Sequence, residues 1–112
     1  MSGHQGTCHC GAVTVTIADT PAEISECNCS ICRRLGTLWH YGPRASVSVT
    51  GELSGYVQGD CMLTTWRCAN CGCVSHWTAI DETYDRTGVN MRMFDPELWQ
   101  DLPRKFVDGA SF

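Results

Sequence analysis

Nine cysteines stand in a chain of 112 residues, and their spacing is the first feature with chemical content. Cys8 and Cys10 form a C-x-C pair, Cys27, Cys29 and Cys32 a C-x-C-x-x-C triplet, and Cys68 and Cys71 a C-x-x-C pair, with Cys61 and Cys73 left over. Disulfides within such short pairs would be strained, whereas both sulfurs can aim at one point about 2.3 Å from a Zn²⁺ ion, and tetrahedral zinc takes four ligands. An odd number also fits poorly with complete pairing. The two pairs make a closed four-thiolate set, so Cys8, Cys10, Cys68 and Cys71 are expected to hold a structural zinc that ties the N-terminal strand to the hairpin around Ala69 and Asn70. Binding of that kind is worth roughly 10 kcal/mol or more and can be a condition of folding.

The triplet has three sulfurs and no evident fourth ligand in its own segment. Three protein ligands and an open position is the arrangement of a catalytic zinc. Three thiolates on Zn²⁺ leave a net negative centre, poor at activating water but compatible with an incoming thiol, so the chemistry implied is thiolate binding and transfer. Spacing leaves other assignments open: Cys61, Cys73, His40 or His76 would close the second site into a structural one, and Cys73 could replace a partner in the first. Buried cysteines acting as small hydrophobes are the remaining reading.

The elements that must position these sulfurs read as short strands. Residues 12–18 alternate, with Val13, Val15 and Ile17 on one face and Thr14 and Thr16 on the other. Further β-branched or alternating runs fall at 37–41, 45–50, 55–58, 62–67, 74–80 and 88–93, punctuated by glycine and proline. Helix is scarce: one turn is expected within 29–35 and another from Asp95-Pro96, where Asp95 can cap and Pro96 suits the first helical position. Phe106, Val107 and Phe112 are expected to dock the last segment on the sheet. The reading is a mainly β chain forming a single domain over residues 1–112, with 43% apolar residues to supply a core.

Charge narrows the partners. Eight basic residues against twelve acidic ones give a net charge of -4, with Lys105 the one lysine, which argues against nucleic acid. No apolar run approaches the length of a membrane span, and the N-terminus lacks the marks of a secretory signal. A reducing cytoplasm is therefore expected, where clustered cysteines bind metal more often than they pair.

Three stretches together carry a family likeness: Gly6-Thr7-Cys8-His9-Cys10-Gly11-Ala12-Val13, Cys27-Asn28-Cys29-Ser30-Ile31-Cys32-Arg33-Arg34-Leu35-Gly36, and Cys68-Ala69-Asn70-Cys71-Gly72. Their order and spacing resemble the glutathione-dependent formaldehyde-activating enzyme family, also called the GFA or centromere-protein-V domain family. Asn90-Met91-Arg92 and Phe106-Val107-Asp108-Gly109 resemble that family's late segments. The resemblance implies an Mss4-like fold of twisted antiparallel sheets with zinc-binding hairpins. It also implies two zinc ions, one held by Cys8, Cys10, Cys68 and Cys71 and one by Cys27, Cys29 and Cys32. The implied activity is that of a carbon-sulfur lyase combining glutathione reversibly with formaldehyde as S-hydroxymethylglutathione. A zinc-stabilised module that binds glutathione or a protein partner without turnover is the alternative. Cys61 and Cys73 have no counterpart in the pattern.

Around the triplet, Arg33 or Arg34 is expected to pair with substrate carboxylates or offset the anionic centre. His40 is a candidate proton shuttle, set against a strand histidine hydrogen-bonded in place. His9 and His76 are expected to point away from metal. Trp39, Trp66 and Trp77 read as core or pocket wall, Asn90 and Arg92 as holders of a turn or an internal ion pair, and Asp60, Asp81, Glu82 and Asp85 as solvated acids.

Overall fold

Alternation in residues 12–18 sends Val13, Val15 and Ile17 inward to 1% exposure or less, and the rest of the architecture is built round that apolar face. The computed structural model describes residues 3–59 and 61–111; the expectations for Asp60 and Phe112 lie outside them. Ten strands follow in chain order: β1 (His4–Thr7), β2 (Thr14–Ile17), β3 (Ile24–Cys27), β4 (Trp39–Gly42), β5 (Val47–Thr50), β6 (Leu53–Val57), β7 (Leu63–Cys68), β8 (Val74–Ala79), β9 (Thr87–Asn90) and β10 (Arg104–Val107). A single turn of helix, α1 (Cys32–Leu35), separates β3 from β4. The expected turn at Asp95 is a 3₁₀ turn, Pro96–Leu98, capped by the Asp95 carboxylate on the Glu97 amide. The fold is mainly β with little helix, consistent with the Mss4-like expectation.

Two sheets form. One has the order β1-β2-β5 and the other β10-β3-β4-β9-β8-β7-β6. All pairs are antiparallel except β10 on β3, where Arg104 to Val107 run alongside Ile24 to Cys27 in parallel. The last segment thus docks as an edge strand, although the Phe106 side chain is 65% exposed. Sequence patterning anticipates neither β1, β3 nor β10. Each is four residues long, and β3 is bonded to β10 across most of the chain, with no local turn to announce the pairing. The run at 88–93 is half strand: it turns at Met91 into a 3₁₀ segment.

The seven-stranded sheet carries buried apolar residues on both faces, and all four residues of β9 are buried. One face meets the larger core of Val13, Val15, Ile17, Ile24, Leu38 and Val89, in which Cys8 and Cys68 are embedded. The other carries a smaller cluster of Trp39, Trp77 and Ala79, with Cys27, Cys32 and Tyr41 packed on it. Strand periodicity makes this division, since successive side chains point to opposite faces. In β8, Trp77 lies on the second face and His76 on the first, where His76 stacks on Trp66 and its Nδ1 is 2.8 Å from the Ser75 hydroxyl.

Gly88 pairs with Trp77 across the ladder, and a Cβ there would collide with the indole Nε1 and Cε2 atoms. Replacing Gly88→Ala should therefore cost about 2 kcal/mol in urea unfolding, because the tryptophan must leave its seat. Burial lowers the His76 pKa from the ordinary 6.5 to about 4. Below 6.5 the unfolded chain binds a proton that the folded chain refuses. This residue's contribution is thus fully present above pH 6.5 and is lost as pH falls towards 4, on the order of 3 kcal/mol in all. His76→Phe, which keeps the ring stack, should lose less stability than the parent between pH 7 and 5, and NMR should show the His76 ring neutral down to near pH 4.

Candidate metal centres and the adjoining groove

The first sulfur cluster is made by two knuckles. Gly11 and Gly72 each follow a pair directly and adopt φ of +83° and +81°, a backbone state that a Cβ would strain, and so turn the chain back over its own sulfurs. The Gly11 and Gly72 amides close these turns on the Cys8 and Cys68 carbonyls at 3.1 and 3.0 Å. The Sγ atoms of Cys8, Cys10, Cys68 and Cys71 all lie within 4.8 Å of one another, with Cys8–Cys10 and Cys10–Cys68 both at 3.6 Å. A tetrahedron with 2.3 Å metal–sulfur bonds has edges of about 3.8 Å, so the spacing suits one ion and is far too long for disulfides. The Val13 amide donates to Cys8 Sγ, and the Asn70 and Cys71 amides to Cys68 Sγ, at 3.3, 3.4 and 3.4 Å. Amides from Cys73 and Cys10 pull the Cys71 pKa down to about 5, and the Asn70 side chain followed by the Ala12 amide lowers that of Cys10. Donors aimed at sulfur favour thiolates, the form that binds metal.

The second cluster, Cys27, Cys29 and Cys32, also lies within 4.8 Å and is half-buried. Cys27 ends β3, Cys29 sits in the following turn, and Cys32 opens α1, whose carbonyl at Cys32 accepts from the capping Gly36 amide. The Cys29 amide donates to Cys27 Sγ and the Cys32 amide to Cys29 Sγ, both at 3.5 Å, while the Trp39 indole donates to Cys32 Sγ at 3.4 Å. Burial disfavours the Cys29 thiolate, but the Cys32 amide and neighbouring thiols outweigh it and hold its pKa below the usual value. Burial pushes Cys32 up to about 12 against the pull of the Trp39 indole. Among the described residues no fourth ligand joins this cluster.

The residues that could have closed it lie elsewhere. Cys61 is exposed in the β6–β7 turn at a φ of +56°, and Cys73 packs beside Cys71, where the His9 amide supports its sulfur. His76 is buried on the far face, and His9 is exposed. His40 alternates with Trp39 and Tyr41, which line the triplet cavity while His40 does not; burial lowers its pKa, with Asp19 as the opposing charge. The arginines divide: Arg33 lines the triplet cavity, whereas Arg34 folds back to donate to the Ser30 carbonyl at 2.6 Å. Asn90 and Arg92 hold backbone. Asn90 donates to the Val74 carbonyl and accepts from the Leu38 and Arg92 amides, and Arg92 Nε fixes the Gly36 carbonyl at the end of α1.

The C-terminal segment forms one wall, and sequence reasoning missed its role. Asn28, between two ligands, donates to Asp108 Oδ1 and accepts from the Ala110 amide, each at 2.9 Å. This clamp lays Gly109 on the triplet so closely that a Cβ there would lie 2.5 Å from Cys27 Sγ. The available signal was the small Gly109-Ala110 step after an edge strand. A cavity of about 570 Å³ opens over the triplet, and a groove of about 830 Å³ continues from it. Tyr41, Leu63, Trp77 and Val107 line both. Burial pushes the Tyr41 phenol up to about 12, with the charges of Cys27 and Cys32 acting the same way, while the Arg86 guanidinium lies 4.5 Å over the ring.

Comparison with known proteins follows the same residues. A family model described as glutathione-dependent formaldehyde-activating enzyme matches residues 3–107. The crystal structure of a Rhodobacter sphaeroides protein is similar, at 28% sequence identity and a TM-score of 0.73, over 90% of this chain and 99% of that one. No curated protein matches.

The two clusters should respond differently to substitution. Cys8→Ser, at a buried sulfur of the four-thiolate set, should abolish cooperative unfolding by circular dichroism. Cys29→Ser should retain the fold and lower bound metal from two ions per chain to one by elemental analysis. Gly109→Val should reproduce the Cys29→Ser result; two ions retained in that variant would show that the tail does not press on the triplet.

Proposed function

The chain belongs to the glutathione-dependent formaldehyde-activating enzyme family, and from that premise we propose that it is a zinc-dependent carbon-sulfur lyase. Its substrate would be the adduct of a glutathione-like thiol with an aldehyde, of the S-hydroxymethylglutathione type. The observation that carries this reading is the contrast between the clusters: four sulfurs complete a tetrahedral set anchored in the core by Cys8 and Cys68, while three converge on an open cavity with no fourth ligand among the described residues. In this reading Cys8, Cys10, Cys68 and Cys71 hold a structural zinc and Cys27, Cys29 and Cys32 a second one.

A zinc ion on the triplet would supply a coordination position where the substrate sulfur binds as thiolate at neutral pH. The chain's own residues do the rest. The Cys29 and Cys32 amides and the Trp39 indole fix the three sulfurs and spread their charge. Arg33, at the cavity edge, faces a substrate carboxylate. Tyr41 remains a phenol and donates its hydroxyl hydrogen bond to the aldehyde oxygen. In the forward direction the thiolate sulfur bonds to the carbonyl carbon, the carbon–oxygen π pair moves to oxygen, and oxygen takes from solvent the equivalent of the proton that the thiol gave up on ionising. The reverse releases thiol and aldehyde. His40, on the other face of β4, has no part in this step.

Residues 1–112 would act as one domain in the cytoplasm, with a small thiol as partner and without membrane or nucleic acid. The acidic balance supports the reading without nucleic acid, and no helix among the described residues is long and apolar enough to cross a membrane.

Exchange between free formaldehyde and its glutathione adduct, followed by NMR with and without the zinc-loaded protein, tests the proposal. Acceleration is expected, and Tyr41→Phe should reduce it by about 10²-fold while glutathione affinity changes little. Measurable glutathione binding with no acceleration would instead make the protein a binding module.

A further inference from the structure

The cavity over the triplet and the groove beyond it differ in chemistry. Asn28, Ser30, Arg33 and Gln58 give the triplet cavity polar edges, suited to a peptide thiol. The groove floor is Leu63, Trp77 and Ala79, on the same sheet face as Tyr41. Its mouth is apolar as well. Seven large hydrophobic side chains are exposed among the described residues, and three of them, Met62, Tyr84 and Phe106, line this groove, at 64%, 45% and 65% exposure. Concentrating exposed apolar surface at one opening marks a ligand site more than chance scatter.

The charges nearby do not change that character. The Arg86 guanidinium is spread over the Tyr41 ring, and the Asp81 carboxylate is engaged by the Thr83 amide and hydroxyl. Glu23, just before β3, and Lys105, in β10, carry opposite signs. A formaldehyde adduct carries one carbon beyond sulfur and cannot reach this space, whereas a longer substituent on the same carbon enters past Tyr41.

We infer that the groove beyond Tyr41 is the subsite for an apolar substituent of several carbons on the aldehyde half of the adduct. The substrate class is then thiohemiacetals of a glutathione-like thiol with bulky aliphatic or aromatic aldehydes. This rests on the thiol-adduct reading above and extends it. The bonds made and broken are unchanged: sulfur bonds to the aldehyde carbon, a proton goes to oxygen, and the substituent leaves with the aldehyde in the reverse direction.

Stable thioethers separate the two readings. Glutathione and its S-methyl, S-butyl, S-hexyl and S-benzyl derivatives are titrated into zinc-loaded protein by calorimetry. Affinity should rise at least tenfold from S-methyl to S-hexyl or S-benzyl, as burial of several methylenes requires. Phe106→Ser, at an exposed position on an edge strand, should erase most of that rise while leaving glutathione and S-methylglutathione unchanged. Met62→Ser provides the same comparison should the first variant fold poorly. Flat affinity across the series, with glutathione still binding, would overturn the groove assignment and leave the thiol-adduct reading standing. Absence of glutathione binding would overturn both.

Discussion

Four sulfurs brought to one point from two distant stretches of the chain are the constraint on which this structure depends. Cys8 and Cys10 sit in the turn that leaves β1, in the three-stranded sheet, whereas Cys68 ends β7, in the seven-stranded one, and Cys71 follows it. Their meeting joins the sheets at the edge of the core that both share. Thiolates 3.6 Å apart repel, while the hydrogen-bond donors aimed at Cys71 and Cys10 make those two easier to ionise. A cation turns that repulsion into attraction. Without one, the same knuckles would hold like charges together against an apolar interior.

The triplet uses the same devices for another end. Its amide-to-sulfur bonds and its following glycine repeat the pattern of the pairs, but it is seated on the smaller cluster under Trp39 and faces a cavity. Three supports from distant sequence hold it there. Arg92 pins the end of α1, the Trp39 indole reaches Cys32, and Asn28 ties the C-terminal segment across the loop. The chain thus separates a set of sulfurs that holds sheets together from a set that is presented outward.

What was legible in the sequence follows from how local each signal is. C-x-C and C-x-x-C spacing is set within one turn, so the seven sulfurs could be grouped before any fold was known. Alternation likewise marked β2 and β8. The four-residue strands β3 and β10 gave no such signal, because their pairing is parallel and joins residues some eighty positions apart. The wall over Cys27 was hidden for the same reason. His40 shows the opposite limit: strand parity tells which neighbours share a face, but only the pairing with β9 decides which face looks onto the triplet. Arg33 and Arg34, adjacent in sequence, could not be told apart until α1 turned one towards the cavity and the other back on its own carbonyl.

The division of labour between loop and groove also bears on how such a chain can diverge. The triplet and its amides belong to one short segment between β3 and β4, whereas the groove takes its walls from the β6–β7 hairpin, the β8–β9 connection and β10. Substitutions in the first two places alter shape and polarity without moving a sulfur or a ligand-supporting amide, whereas β10 is paired with the strand that ends in Cys27. Descendants of one ancestor could therefore drift across many substrates while inheriting an unchanged reactive centre, and selection would act on the two properties almost independently.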